Sequence, residues 1–180
     1  MSFENGWFEM AERCISPNFN ARPAGQEPQL LVIHNISLPP KQYGGGYIER
    51  FFQNQLEPTE HPYFEEIAHL EVSAHFLIRR DGSLVQFVSC DARAWHAGVS
   101  CYQGRDNCND FSIGIELEGC DDEPYKDEQY TSLTQLTNAV MAAYPLISPS
   151  RVTGHEDIAP GRKTDPGKAF DWPRYKDSLV

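Results

Sequence analysis

Leu30 to Ile36 is an apolar run rich in β-branched residues, broken only near its end by His34 and Asn35. Such a run predicts a buried strand, with His34 close to its C-terminal end. Phe111 to Leu117 alternates instead. Phe111, Ile113, Ile115 and Leu117 fall on one side, and Ser112, Gly114, Glu116 and Glu118 on the other. Ser73 to Ile78 and Leu84 to Val88 flank Arg80-Asp81-Gly82-Ser83, whose central Asp-Gly predicts a hairpin.

Helical spacing appears three times. Tyr47 to Leu56 has a short helical pattern after a Pro/Gly-rich loop. Between Asp127 and Tyr144, the residues Tyr130, Leu133, Leu136, Val140, Met141 and Tyr144 line one face of a long helix, with Asp127 as its cap and Pro145 as its stop. A last short helix is expected from Asp171, pinned by Trp172 and Tyr175. Strands mixed with helices, with an antiparallel hairpin among them, predict an α/β or α+β fold: a single mixed β-sheet flanked by helices.

Composition narrows the picture. A chain of 180 residues and 20.4 kDa suits one domain spanning residues 1–180. A net charge of −11 and a pI near 4.9 oppose binding of nucleic acid or an anionic membrane through bulk electrostatics. No stretch approaches the ~18 apolar residues of a membrane span. Met1 to Cys14 carries an early acid and no continuous apolar run, which predicts a cytoplasmic protein. The five cysteines, an odd number without a C-x-x-C, are expected to be reduced. No obligate protein partner is evident, and a small-molecule substrate is expected.

Of the six histidines, two stand out by position. His34 sits where a buried strand runs into a loop, and strand ends are where α/β sheets place their sites. His155 lies in RVTGHEDIAPGRKTDPG, too polar for core and rich in Gly and Pro that define its backbone path. With Asp165 they match a catalytic zinc site of three protein ligands and one open position. Glu116 becomes a candidate base if its strand face looks at His34; Glu118 shares that face and is its rival. Lys163 is a candidate for stabilising a developing anion. Trp95 lies in the Gly-containing loop Trp95-His96-Ala97-Gly98, where it could stack on a sugar or seal the core.

Four segments, in order along the chain, carry a resemblance: LLVIHNISLPP (Leu30 to Pro40), EIAHLEVSAHFLIRRDGSLVQFV (Glu66 to Val88), RAWHAGVSCYQGRDNCNDFSIGIELEG (Arg93 to Gly119) and TGHEDIAPGRKTDPG (Thr153 to Gly167). Together they resemble the AmpD-type 1,6-anhydro-N-acetylmuramyl-L-alanine amidases, a zinc amidase family related to peptidoglycan recognition proteins. The resemblance implies that His34, His155 and Asp165 bind Zn²⁺, that Glu116 is the general base and that Lys163 steadies the transition state. It also implies a mixed sheet flanked by helices and a soluble muropeptide substrate. The place it implies is the cytoplasmic recycling of wall fragments, whose removal lowers the signal inducing β-lactamase in some bacteria. Asn35, Trp95, His96 and Arg105 are the expected substrate contacts. Glu71 and Asn107 stand where close relatives are expected to carry arginines, which leaves open how the peptide carboxylates are held; Arg105, Arg93 and Arg162 are the candidates to compensate.

Overall fold

The structure is a computed structural model and describes residues 2–180. Its central sheet is built from β1 (Glu12–Arg13), β2 (Leu30–Ile36), β3 (Phe76–Ile78), β4 (Leu84–Gln86), β5 (Ser112–Glu118) and β6 (Val152–Gly154). The strands lie in the order β6-β2-β5-β3-β4-β1. β6, β2, β5 and β3 run parallel, β3 and β4 are antiparallel, and β4 is parallel to β1. This is the mixed sheet that the pattern predicts. The long apolar run forms β2 because a parallel strand buried on both faces has no need of polar alternation.

Among the described residues, five α-helices pack on the sheet: α1 (Tyr47–Phe52), α2 (Pro62–Ile67), α3 (Asp127–Ala143), α4 (His155–Ile158) and α5 (Trp172–Asp177). On one face, Leu31, Ile33, Ile113, Ile115 and Leu117 meet Leu133, Leu136 and Val140 of α3 and Tyr175 of α5. The Tyr175 hydroxyl and Thr137 Oγ1 lie 2.6 Å apart and join α5 to α3 inside that core. On the other face, Leu30 and Val32 pack with Ala97, Cys108, Phe111 and Ile158. Leu77 and Val85 pack there with Ile48, Phe51 and Phe52 of α1 and Phe64 of α2.

The structure departs from the sequence pattern at instructive places. Phe111 was expected beside Ile113, but it packs with Leu30 and Val32 on the opposite face. Cys108–Asp110 is a 3₁₀ turn, and Phe111 leaves it with ψ near 14°, so regular alternation begins only at Ser112. The side of β5 bearing Ser112, Gly114, Glu116 and Glu118 is not solvated; every residue of the strand is buried. α1 stops at Phe52 rather than Leu56, because Asn54 has a left-handed φ of 59°. Asp127 is not the cap of α3 but its first residue, and the Lys126 N–H at the cap donates instead to Gln129 Oε1 at 3.1 Å. The Asp171 cap is as expected, its carboxylate accepting from the Arg174 N–H at 3.0 Å. Among the described residues, all five cysteines are free thiols, and no helix is long and apolar enough to cross a membrane.

The fully buried Leu133 anchors α3 to the sheet. Leu133→Ala is expected to destabilise the fold by about 2–5 kcal/mol in urea unfolding. A loss below about 1 kcal/mol would mean that α3 does not hold the sheet as described.

Candidate metal centre and active site

The parallel register of β2 and β5 places Glu116 directly beside His34. Registered neighbours on parallel strands project to the same face, so the two side chains leave the sheet together at its C-terminal edge. β6 pairs Gly154 with Ile33, and His155 follows as the first residue of α4. The two histidines are thereby brought to adjacent strand ends. Asp165 arrives on the loop after α4, held by its carbonyl, which accepts from the Glu156 N–H at 2.9 Å. The same loop is tied down at Pro166, whose carbonyl accepts from the Tyr125 hydroxyl at 2.8 Å and from Asn35 Nδ2 at 3.1 Å.

Three atoms converge at this edge. His34 Nδ1 and His155 Nδ1 are 2.9 Å apart, and each is 3.1 Å from Asp165 Oδ2. His155 Nε2 lies 3.1 Å from the Ala97 carbonyl, which can only accept, and the Arg162 Nη2 3.4 Å away spends its two protons on the Ala97 and Val99 carbonyls. This assigns the His155 proton to Nε2 and turns its Nδ1 lone pair to the other two atoms. Burial lowers the His34 pKa to about 4, with the hydrogen bond to Asp165 opposing, so this imidazole is neutral near pH 7. Burial alone would raise the Asp165 carboxyl, but contacts with His155 and His34 more than offset it and hold it well below the usual carboxylate range. Two imidazoles and one carboxylate, each offering one atom to one point, can hold a metal ion. The set is that of a divalent transition metal such as zinc.

Glu116 stands at the side of this cluster. Burial pushes its carboxyl well above the ordinary range, the negative charge of Asp165 adds to the rise, and Lys163 opposes it. Its Oε2 is buried with no hydrogen-bond partner among the described residues. A lone carboxylate oxygen in such a place is costly unless something polar shares the site, which again fits a cation and a reacting polar group. Glu118, the rival on the same strand face, is spent: Oε1 accepts from the Gly44 N–H at 2.5 Å and Oε2 from the Arg80 N–H at 2.9 Å.

The cluster opens into a cleft of about 380 Å³ lined by His34, Glu116 and Lys163, with Leu38, Phe52 and Trp95 among its walls. Lys163 is the one Lys or Arg among the lining residues described. Trp95 is half-buried, and its indole N–H donates to Asn20 Oδ1 at 3.0 Å, which fixes the ring in the wall. The structure changes the expectation for the other substrate contacts. Asn35 lines the cleft, but its amide nitrogen is used on Asp121 Oδ1 and Pro166, so it fastens the Asp165 loop. His96 also lines the cleft, yet both its ring nitrogens are engaged within the protein, with His34 and Ser112. Arg105 does not line it at all. Its guanidinium lies 3.7 Å over the Phe111 ring and bonds Gln26 and Gln29. Arg93 is paired with Asp110, and Arg162 is bound to the Ala97 and Val99 carbonyls. None of the arginines offered as replacements at Glu71 and Asn107 reaches the cleft wall. Sequence reasoning missed Ser112 altogether. Its one signal was that it shares a strand face with Gly114 and Glu116.

A family model for N-acetylmuramoyl-L-alanine amidase matches residues 24–168. The chain belongs to the N-acetylmuramoyl-L-alanine amidase family. Among its relatives, the 1,6-anhydro-N-acetylmuramyl-L-alanine amidase AmpD of Escherichia coli strain K12 is 57% identical over 176 residues, covering 98% of this chain and 96% of that protein. The crystal structure of a selenomethionine AmpD derivative superposes with a TM-score of 0.97 at 55% identity, each chain covered completely. AMPDH3 from Pseudomonas aeruginosa, solved in complex with an anhydromuramic pentapeptide, matches with a TM-score of 0.64 at 30% identity over 87% of this chain and 61% of that one. This amidase is thus a hydrolase of the AmpD type, with a mixed sheet flanked by helices.

His75 lies deeper in the amidase, and burial lowers its pKa to about 3, with the positive charge of Arg22 adding to the fall. An unfolded His75 takes up a proton as pH falls through about 6.5. Between these values the unfolded chain binds more protons, so stability declines as pH falls. In urea unfolding of the metal-free amidase from pH 7 to pH 4, His75→Gln is expected to remove up to about 1.4 kcal/mol per pH unit from that slope. Identical slopes in both proteins would show that His75 titrates normally in the fold.

Proposed function

We propose that this amidase is a single zinc domain spanning residues 1–180. In this reading it hydrolyses the amide between N-acetylmuramic acid, in its 1,6-anhydro form, and L-alanine in soluble muropeptides. One observation carries the proposal: His34 Nδ1, His155 Nδ1 and Asp165 Oδ2 meet within 3.1 Å beside the partnerless Oε2 of Glu116. The names of the relatives support the substrate, as does the anhydromuramic peptide bound by AMPDH3. The setting that follows is cytoplasmic recycling of wall fragments, with a fall in any β-lactamase-inducing signal those fragments carry.

His34, His155 and Asp165 would hold the ion. When bound, Zn²⁺ supplies Lewis acidity, making water nucleophilic near neutral pH and polarising the scissile carbonyl. Glu116, ionised beside the cation, takes one proton from the attacking water as its oxygen bonds to the lactyl carbonyl carbon. The Lys163 ammonium faces the same cleft and stabilises the negative charge that develops on the carbonyl oxygen. When the C–N bond breaks, Glu116 returns its proton to the alanine nitrogen, which leaves as an amine. Trp95 and the apolar wall of Leu38 and Phe52 receive the sugar and shield the reacting bond from bulk water.

Glu116→Ala is expected to lower kcat by at least about 10²- to 10⁴-fold. Bound zinc should stay unchanged, as read by metal analysis and by release of peptide from anhydro-muropeptide. Lys163→Ala is expected to lower kcat by about 10²- to 10³-fold. An active Glu116→Ala enzyme would remove Glu116 from the role of base, and cleavage of intact sacculi in preference to anhydro-muropeptide would refute the proposed substrate.

A further inference from the structure

We infer that His96 is a positioning residue for the metal ligand His34, and that Ser112 sets the direction in which it works. The inference rests on the metal reading proposed above and concerns residues that touch neither the three converging atoms nor the reacting bond.

The geometry is a chain of three hydrogen bonds with a defined end. Ser112 Oγ lies 2.6 Å from the Cys108 carbonyl, an atom that can only accept, so the one hydroxyl proton of Ser112 is committed there. Ser112 Oγ also lies 3.1 Å from His96 Nε2, and with its own proton spent it must accept from that nitrogen. His96 therefore carries its proton on Nε2, and its Nδ1 is left as an acceptor. That Nδ1 is 2.9 Å from His34 Nε2, which must donate to it. The proton of His34 is then held on Nε2, and its Nδ1 lone pair points at His155 Nδ1 and Asp165 Oδ2. A neutral imidazole can present either nitrogen, and the hydrogen bond on the far nitrogen decides which one reaches a metal.

The backbone is shaped to make this contact. Gly114, between Ser112 and Glu116 on the same strand face, lies under the His96 ring; a Cβ there would stand 2.5 Å from His96 Cγ. A glycine inside a central strand commonly marks such a close approach. The His96 and Ala97 N–H groups both donate to Asn109 Oδ1, at 3.1 and 2.8 Å. The segment held by Asn109 thus orients both metal histidines, His34 through the His96 ring and His155 through the Ala97 carbonyl. His75 backs the arrangement, with its Nδ1 accepting from the Gly114 N–H at 3.0 Å.

The test is the zinc affinity of the full chain, measured by chelator competition for wild type, His96→Ala and Ser112→Ala. Circular dichroism of the metal-free proteins reports folding, and long-range proton–nitrogen NMR reports the His34 and His96 tautomers. Ser112→Ala removes one hydroxyl and leaves the ring in place, so it remains decisive if His96→Ala fails to fold. Both folded variants are expected to bind zinc about 10- to 100-fold more weakly than wild type. His34 should be protonated on Nε2 in the wild type and mixed between tautomers in Ser112→Ala. Wild-type affinity in either folded variant overturns the inference while leaving the metal reading intact. A wild-type chain that takes up no zinc overturns both.

Discussion

The parallel pairing of Leu30–Ile36 with Ser112–Glu118 is the constraint on which the rest of the molecule depends. It sets His34 beside Glu116, and a slip of one residue would turn one of the two into the α3 side of the core. The burial of Leu31, Ile33, Ile113, Ile115 and Leu117 against α3 enforces that register, since each would lose its apolar setting if the strands moved. Stability and chemistry are therefore carried by alternate residues of the same two strands. One face builds the core against α3, and on the other Leu30 and Val32 are packed while His34 and Glu116 further along build the site.

Placing the site on that second face has a cost that the surrounding loops share. Glu116 and the two histidines are buried polar groups, and unsatisfied polar atoms inside a protein are expensive. The 93–111 segment covers them from above and supplies partners from its own backbone and side chains, Ala97 carbonyl to His155 and His96 ring to His34. The 164–167 loop, tied by Asn35 and Tyr125, brings Asp165 to the third corner. Only Glu116 Oε2 is left over among these groups, and Glu116 lines the same cleft as His34, His155 and Asp165.

Much of this was legible in the order of residues, for physical reasons. A buried parallel strand writes itself as an apolar run, so β2 and the position of His34 at its end could be read directly. The Asp-Gly hairpin and the long α3 face were equally local signals. Strand alternation placed Ser112, Gly114, Glu116 and Glu118 on one side, but not what covers that side. The choice between Glu116 and Glu118 turned on the Gly44 and Arg80 amides, which are distant in sequence from both carboxylates. Arg105 was misjudged for the same reason: a cation beside a cleft and a cation stacked on Phe111 have the same local sequence. His96 was expected to touch substrate, whereas its two nitrogens are engaged by residues that only the fold brings near.

The most direct measurement is anomalous diffraction at the zinc edge from crystals of the zinc-loaded amidase. The expected result is a single ion about 2.0–2.2 Å from His34 Nδ1, His155 Nδ1 and Asp165 Oδ2, with Glu116 alongside but not bound to it. An ion located elsewhere, or one held through the Nε2 atoms of these histidines, would contradict the geometry on which the chemistry rests.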